Sequence, residues 1–473
     1  MGIAALLLLA AAALRGAEYD ESYTVFLVMG TPRPDWPDGV FTVAQAWGRL
    51  DGASGLSGLA HDLRVTDVHP PLYFWMVAGW RAVIGTSLFA TRGFSVLCAL
   101  GALALVGAIA RRLGLPALAA MALTLGCYGF AYTGAIARGF ALAQLLNLAG
   151  IWLLLDGGHG GRRGGLAGLL LGAACLANYL AGFVGAAALA IWLLSKGRAG
   201  WPAVAGFAAM GPPALWFFLA QRGSRTGQFP PFDIAPALAR LGKYAAGNVF
   251  GGLPLYAGAA QGAVSVGLTV ALAGLAGLVG WRWRRIGGRW LLGLCAVAPA
   301  LGLLGLGVVF NTTPIELRYL AFATPFIGLL LAGALPGSLL AAVLAVQALA
   351  IGGLITRPET MQPQGAAARA ASSLAGPDGL LLVPRGNDGA GLVGSVLLAA
   401  PSEMRLLLVV DQDPPSLRAA AHPYPAVILA LLPLDEASRA VLPTMRAAFA
   451  GQECWRELPA AANLAAYDNL CRE

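Results

Sequence analysis

Long apolar blocks separated by short connections fill the chain from its first residues to about position 355. They fall at about residues 3–17, 88–110, 115–137, 140–156, 165–180, 182–195, 201–219, 256–281, 290–310, 318–333 and 336–354, and each is read as a helix that crosses hydrocarbon. That makes eleven spans. The stretch 71–85 is different: it is short for a bilayer, rich in aromatic residues and interrupted by Arg81. It reads as an amphipathic helix lying in the membrane interface, the alternative being a tilted span. Past residue 355 the pattern changes. Short apolar runs at 380–383, 406–410 and 426–432 alternate with helix-like stretches such as 436–450, which predicts a small α/β domain. The expected architecture is an all-α polytopic membrane protein of about eleven transmembrane helices plus one interfacial helix over residues 1–355, followed by a small soluble α/β domain over 356–473.

Charge placement then orients the chain. Arg111 and Arg112, Arg162 and Arg163, Lys196 and Arg198, and Arg282, Arg284, Arg285 and Arg289 all fall on one side of the membrane if 72–86 does not span. With that side cytoplasmic, residues 18–87, 220–255, 311–317 and everything past about 355 lie outside. The first outer loop, 18–87, would then hold the juxtamembrane helices. Only 11% of residues are charged against 58% apolar, and the net charge of +8 comes from these brief clusters, so nucleic-acid binding is excluded as a reading. The enrichment in Ala, Leu and Gly permits close helix packing and carries no chemistry.

Among the six cysteines, Cys98, Cys127, Cys175 and Cys295 lie within apolar blocks and behave as small hydrophobes. Cys454 and Cys471 lie in the polar tail without Cys-x-x-Cys spacing, which favours a disulfide in an oxidising compartment over a metal site. The glycines of 386–394 resemble a phosphate-binding turn only loosely and are read as loop.

Two clusters stand out in the first outer loop. Asp20 and Glu21 follow the first helix directly, at the expected outer boundary of the membrane. A half-desolvated carboxylate there has its pKa raised unless a cation offsets the burial, and it suits general-base work. The bland alternative is that these acids mark the water boundary and begin a loop helix. At the loop's far end comes Asp67-Val68-His69-Pro70-Pro71-Leu72-Tyr73, in which the double proline stiffens the entry to the interfacial helix and fixes where His69 points, with Asp67 placed to orient it. An imidazole at headgroup level is suited to a phosphate or a metal.

The pair Asp20-Glu21-Ser22-Tyr23-Thr24 and His69-Pro70-Pro71-Leu72-Tyr73-Phe74 resembles the signature of GT-C glycosyltransferases, and most closely their bacterial family 39 group, related to protein mannosyltransferases and aminoarabinose transferases. Residues 137–142, with Arg138, resemble that family's arginine-containing segment, and 316–320, with Arg318 and Tyr319, its late Arg-Tyr motif. Order and approximate spacing of all four agree across residues 1 to about 355. The resemblance implies an inverting transfer of a sugar from a polyprenyl-phosphate donor to a lipid, glycan or protein acceptor, at the extracytoplasmic face of a bacterial inner membrane. It further implies Asp20 as the base that deprotonates the acceptor and Glu21 as a helper that positions acceptor or metal. His69, Arg138 and Arg318 would hold the donor phosphate, whose charge grows as it leaves. Asp67, Tyr73 and Tyr319 are expected to position substrate. If a divalent metal ion takes part, Asp20, Glu21 and His69 are its candidate ligands.

The outer segment 221–256, with Arg222, Arg225, Asp233, Arg240, Lys243 and Tyr244, either covers the cavity or is solvated loop. Gln144, Asn147 and Asn178, inside membrane blocks, are expected to hydrogen-bond between helices. A lipid transporter or flippase is the main rival, and it predicts charges deep in the helices rather than acids gathered at one outer surface. Nothing in the proline-rich loop 31–51 identifies the acceptor.

Overall fold

The computed structural model describes residues 1–50, 52, 54–156, 161–221 and 229–471. The chain forms two compact units, one of residues 1–14 and 63–357 and the other of residues 15–62 and 358–473. Residues 15–62, the first part of the expected outer loop, therefore build one unit with the tail.

The first unit is a bundle of apolar helices. Among the described residues, six segments are long and apolar enough to cross a membrane unaided: Leu88–Arg112, Ala181–Ala220, Gly258–Arg285, Arg289–Phe310, Leu317–Ala334 and Gly337–Thr356. Every apolar block of the sequence is helical, but several are shorter or broken, so length and composition alone mark fewer spans than the eleven blocks. Leu72–Ile84 and Phe140–Leu155 are apolar helices of 13 and 16 residues. Side chains such as Val270 and Val308 face outward, 68% and 66% exposed, as lipid-facing positions must.

The block at 115–137 is broken into Ala117–Gly126 and Tyr128–Gly134, bent by 73°. Such a break frees backbone groups that hydrocarbon cannot satisfy. Gln347, from the Gly337–Thr356 helix, donates to the carbonyls of Leu123 at 3.1 Å and Val249 at 2.7 Å, and the Asn248 side-chain oxygen accepts the Gly129 N–H at 2.6 Å. Gly126 gives Gln347 the room, since a Cβ there would overlap its amide. Gln144 donates to Thr133 and Asn147 to the Ala181 carbonyl, the interhelix role expected of them. Basic side chains close helix ends elsewhere: Arg112 donates to the Leu155 carbonyl, Arg282 to that of Ala334 and the buried Arg92 to that of Ala12.

The second unit holds one six-stranded sheet, β1 (Val40–Thr42), β2 (Leu380–Pro384), β3 (Arg405–Val409), β4 (Ala426–Ala430), β5 (Trp455–Leu458) and β6 (Leu464–Asn469), in the order β1-β3-β2-β4-β6-β5. The three apolar runs of the tail become the parallel core β3-β2-β4. Buried on both faces, β2 and β4 lack alternation, as parallel strands do. β1, from the proline-rich loop, adds antiparallel to β3 with Val40 opposite Leu407, and the β5–β6 hairpin closes the other edge. Leu382, Leu429, Met445, Phe449 and Tyr467 form the core beneath the Glu436–Phe449 helix. Cys454 and Cys471 are joined by a disulfide that staples the two ends of that hairpin, Cα to Cα 5.1 Å.

Candidate active site

In the helical unit, the chain leaves a helix at Thr66 and makes a tight turn around one carboxylate. Asp67 Oδ1 accepts the backbone N–H of Val68 at 2.5 Å and of His69 at 3.0 Å, and lies 2.6 Å from His69 Nδ1. Pro70 and Pro71 follow, supplying no N–H and fixing the backbone into the Leu72–Ile84 helix. The same carboxylate oxygen therefore holds both the imidazole and the backbone that carries it. Burial alone would raise the pKa of Asp67, but the charges of His69 and Arg138 and the N–H donors overcome it, holding the carboxyl well below the usual carboxylate range.

Arg138 arrives from the turn between Tyr128–Gly134 and Phe140–Leu155. Its Nη2 lies 2.8 Å from His69 Nε2 and 3.1 Å from Nδ1. Carboxylate, imidazole and guanidinium thus follow one another in the order Asp67, His69, Arg138. Arg138 is 4% exposed, so it does not snorkel to water. Gly139 makes the approach possible, because any Cβ there would overlap the Ala177 carbonyl and sit 3.2 Å from Tyr73 Cβ. Gly139→Ala is expected to push Arg138 off the imidazole, lowering activity on the order of 10- to 100-fold while the protein still inserts and folds. Steady-state kinetics beside a thermal melt check this.

A cavity of about 420 Å³ opens against this group, walled by His69, Phe140, Tyr179, Phe229, Phe310 and Tyr319. Its walls are mainly aromatic and aliphatic, with His69, Asn178 and Thr312 among the lining, so it suits a molecule with an apolar body and a polar or anionic head. Gln221 braces two of the lining residues: its Nε2 donates at 2.8 Å to the carbonyls of both Leu63 and His69, and its Oε1 accepts from the Tyr179 hydroxyl at 3.0 Å. Asn178 lines the same cavity and its side chain accepts the Leu180 N–H, a local cap rather than the interhelix bond expected of it. Nothing in the sequence singled out Gln221, which ends an apolar block beside a basic loop.

The remaining expected residues are placed as follows. Tyr319 lines the cavity and stacks on Phe140 at 6.5 Å. Its neighbour Arg318 pairs with Glu316 at 2.7 Å and lies over the Tyr319 ring. Tyr73 is fully buried against Phe74 and Phe94, its hydroxyl 3.3 Å from Ser95, and does not line the cavity. Asp233 caps the Ile234–Val249 helix, which carries Arg240, Lys243 and Tyr244, whereas Arg222 and Arg225 lie outside the described residues.

Asp20 and Glu21 belong to the second unit, in the first turn of the Tyr19–Val28 helix. Glu21 is fully buried and its Oε2 accepts the Glu18 N–H at 3.0 Å, half of a capping box. Glu18 is itself paired with Arg15 at 2.6 Å. Asp20, one residue earlier, is half-buried. Among the described residues no group of three or more His, Cys, Asp or Glu side chains is arranged to hold a metal ion.

The architecture defines a multi-pass membrane protein with the GT-C glycosyltransferase fold. Within that class, residues 68–224, which include His69 and Arg138, match the family model of dolichyl-phosphate-mannose-protein mannosyltransferases. The chain is similar in structure to ArnT from Cupriavidus metallidurans bound to undecaprenyl phosphate, with a TM-score of 0.52 at 13% identity over 99% of this chain and 97% of that one. Against the apo state of the same protein the TM-score is 0.51 at 14% identity, over 98% and 96% of the two chains. No curated protein sequence matches this one.

Proposed function

We propose that this protein is an inverting glycosyltransferase that takes a sugar from a polyprenyl-phosphate donor and transfers it to a lipid, glycan or protein acceptor at the extracytoplasmic face of a bacterial inner membrane. The observation that carries the reading is an aromatic cavity with the His69 imidazole in its wall and the Arg138 guanidinium against that ring, Nη2 2.8 Å from Nε2. A phosphodiester-linked sugar needs cations where its phosphate leaves and apolar walls for the prenyl chain or the sugar face; the cavity lining supports the second, and Arg138 with His69 is assigned the first. A structurally similar protein was solved with undecaprenyl phosphate bound, which supports a lipid donor of that kind.

In the reaction, Asp20 takes the acceptor's hydroxyl proton and the acceptor oxygen forms a bond to the anomeric carbon from the face opposite the phosphate. The bond from that carbon to the phosphate oxygen breaks, and the electron pair departs on polyprenyl phosphate. Arg138 and His69 then neutralise the new charge, and Asp67, ionised behind the ring, lets His69 carry a proton without isolating a buried cation. Arg318 is assigned a share of the phosphate, Glu21 the support of the helix that carries Asp20, and Tyr319 the wall of the sugar pocket.

The test supplies purified protein with radiolabelled polyprenyl-phosphate sugars and envelope acceptors. Release of polyprenyl phosphate with label in a product is the expected result. Donor intact with every acceptor, but moved across the bilayer of proteoliposomes, would overturn the reading in favour of a flippase.

A further inference from the structure

The core β3-β2-β4 reverses direction of winding at β2: the first crossover leads to β3 on one side and the next returns to β4 on the other. In open α/β sheets the crevice beyond the carboxyl ends of such strands is where ligands bind. Here it is filled from within the chain. The Tyr19–Val28 helix presents Tyr19, Ser22, Tyr23 and Phe26, spaced i, i+3, i+4 and i+7, to this edge of the sheet. Tyr23 donates to Asp388, in the turn after β2, at 2.6 Å, and Tyr19 to Asp435, in the segment after β4, at 3.2 Å. Asp388 is paired further with Arg33 at 2.7 Å, and Asp435 also accepts the Asn387 N–H.

The glycines of 386–394 acquire a purpose from this. A Cβ at Gly391 would overlap the Tyr19 ring, and one at Gly394 would sit 2.5 Å from Phe26 and 2.7 Å from Ser22 Cβ. Both lie on the short helix Gly391–Leu397, one turn apart, so the two bare positions form a flat bed for the other helix. Ser22 adds a hydrogen bond to the Gly391 carbonyl and Trp36 one to that of Gly389. The turn that loosely resembles a phosphate loop is a helix seat.

We propose that the tail domain is a positioning device for the proposed base: Asp388, Asp435, Gly391 and Gly394 fix the helix whose next residue round, Asp20, does the chemistry. The inference rests on the function proposed above. Asp20 lies about 100° around the helix from Tyr19, so a seat that grips the tyrosine face sets the direction of the carboxylate without touching it. The tail thus acts through Tyr19 and Tyr23, which are positioning residues and not catalytic ones.

The test is Tyr23→Phe, Asp388→Asn and Gly394→Ala in the full-length protein, with Arg456→Gln on the far edge of the sheet as control and Asp20→Asn as reference. Expected are a fall in kcat on the order of 10- to 100-fold with donor KM unchanged, and loss of hydrogen-exchange protection in residues 19–28 while β2 and β4 stay protected. Asp388→Glu should recover part of kcat, and combining Tyr23→Phe with Asp20→Asn should add no further loss. If Asp20→Asn is inactive but the seat variants keep wild-type kcat and protection, the seat proposal is wrong. If Asp20→Asn is fully active, the assignment of the base fails instead, and the exchange data still report whether the tail orders the helix.

Discussion

Asp20→Asn is expected to lower sugar transfer about a thousandfold, within the 10²- to 10⁴-fold range of a lost general base, while donor binding stays within about twofold of wild type. The amide keeps the size of the carboxylate but cannot accept the acceptor's proton. Steady-state transfer assays beside a binding titration with the sugar-free carrier separate the two effects. A matched Glu21→Gln variant is expected to behave differently. Its carboxylate accepts the Glu18 N–H inside the capping box, which an amide oxygen can do as well, so transfer should fall far less than with Asp20→Asn. Equal losses in the two variants would mean that the acids act as a pair rather than as base and support.

Arg138→Ala is expected to cost on the order of 10²- to 10³-fold in kcat, because the interaction it removes grows as the phosphate takes up charge. Arg138→Lys should recover only part of this. Lysine restores the charge as a point, whereas the guanidinium sets one nitrogen, Nη2, 2.8 and 3.1 Å from the ring nitrogens of His69 and has further donors for phosphate oxygens. Removing Arg138 also takes away part of the charge that holds the Asp67 carboxyl down, the larger part coming from His69, so its pKa should rise toward the ordinary carboxylate range. Single-turnover rates with saturating donor read the kcat term directly.

Much of the fold was legible because lipid imposes a strong pattern. The helix at Glu436–Phe449 and the strands β2, β3 and β4 also announced themselves, the first by its 3.6-residue period and the others by compact apolar runs. β1 did not: three residues between prolines and a helix are too short for a period of two to register, and only pairing with Leu407 makes Val40 a strand residue. The β5–β6 hairpin was hidden in the same way, being short and partly polar at a sheet edge. The division of the chain was hidden too, since no local signal says that residues 15–62 pack with a tail more than 300 positions away.

For the site, the Asp67-Val68-His69-Pro70-Pro71 run could be read as a braced imidazole because the bracing is local. The partnership of His69 with Arg138 spans 69 positions and is written only in the fold. Tyr73 illustrates the opposite limit. An aromatic next to a motif looks like a substrate contact, yet the turn of the helix carries it into the core against Ser95. Gly139 and Gly391 show the same dependence on context, each meaningful only once the backbone or ring that would collide with a Cβ is in place.

The account turns on where the carrier's phosphate sits. A cryo-electron microscopy map of the full-length protein with a polyprenyl phosphate bound measures that directly. The prediction is density for the phosphate within about 3 Å of the Arg138 guanidinium and the His69 ring, with the aromatic cavity beside them occupied. A phosphate bound elsewhere, with that cavity empty, would contradict it.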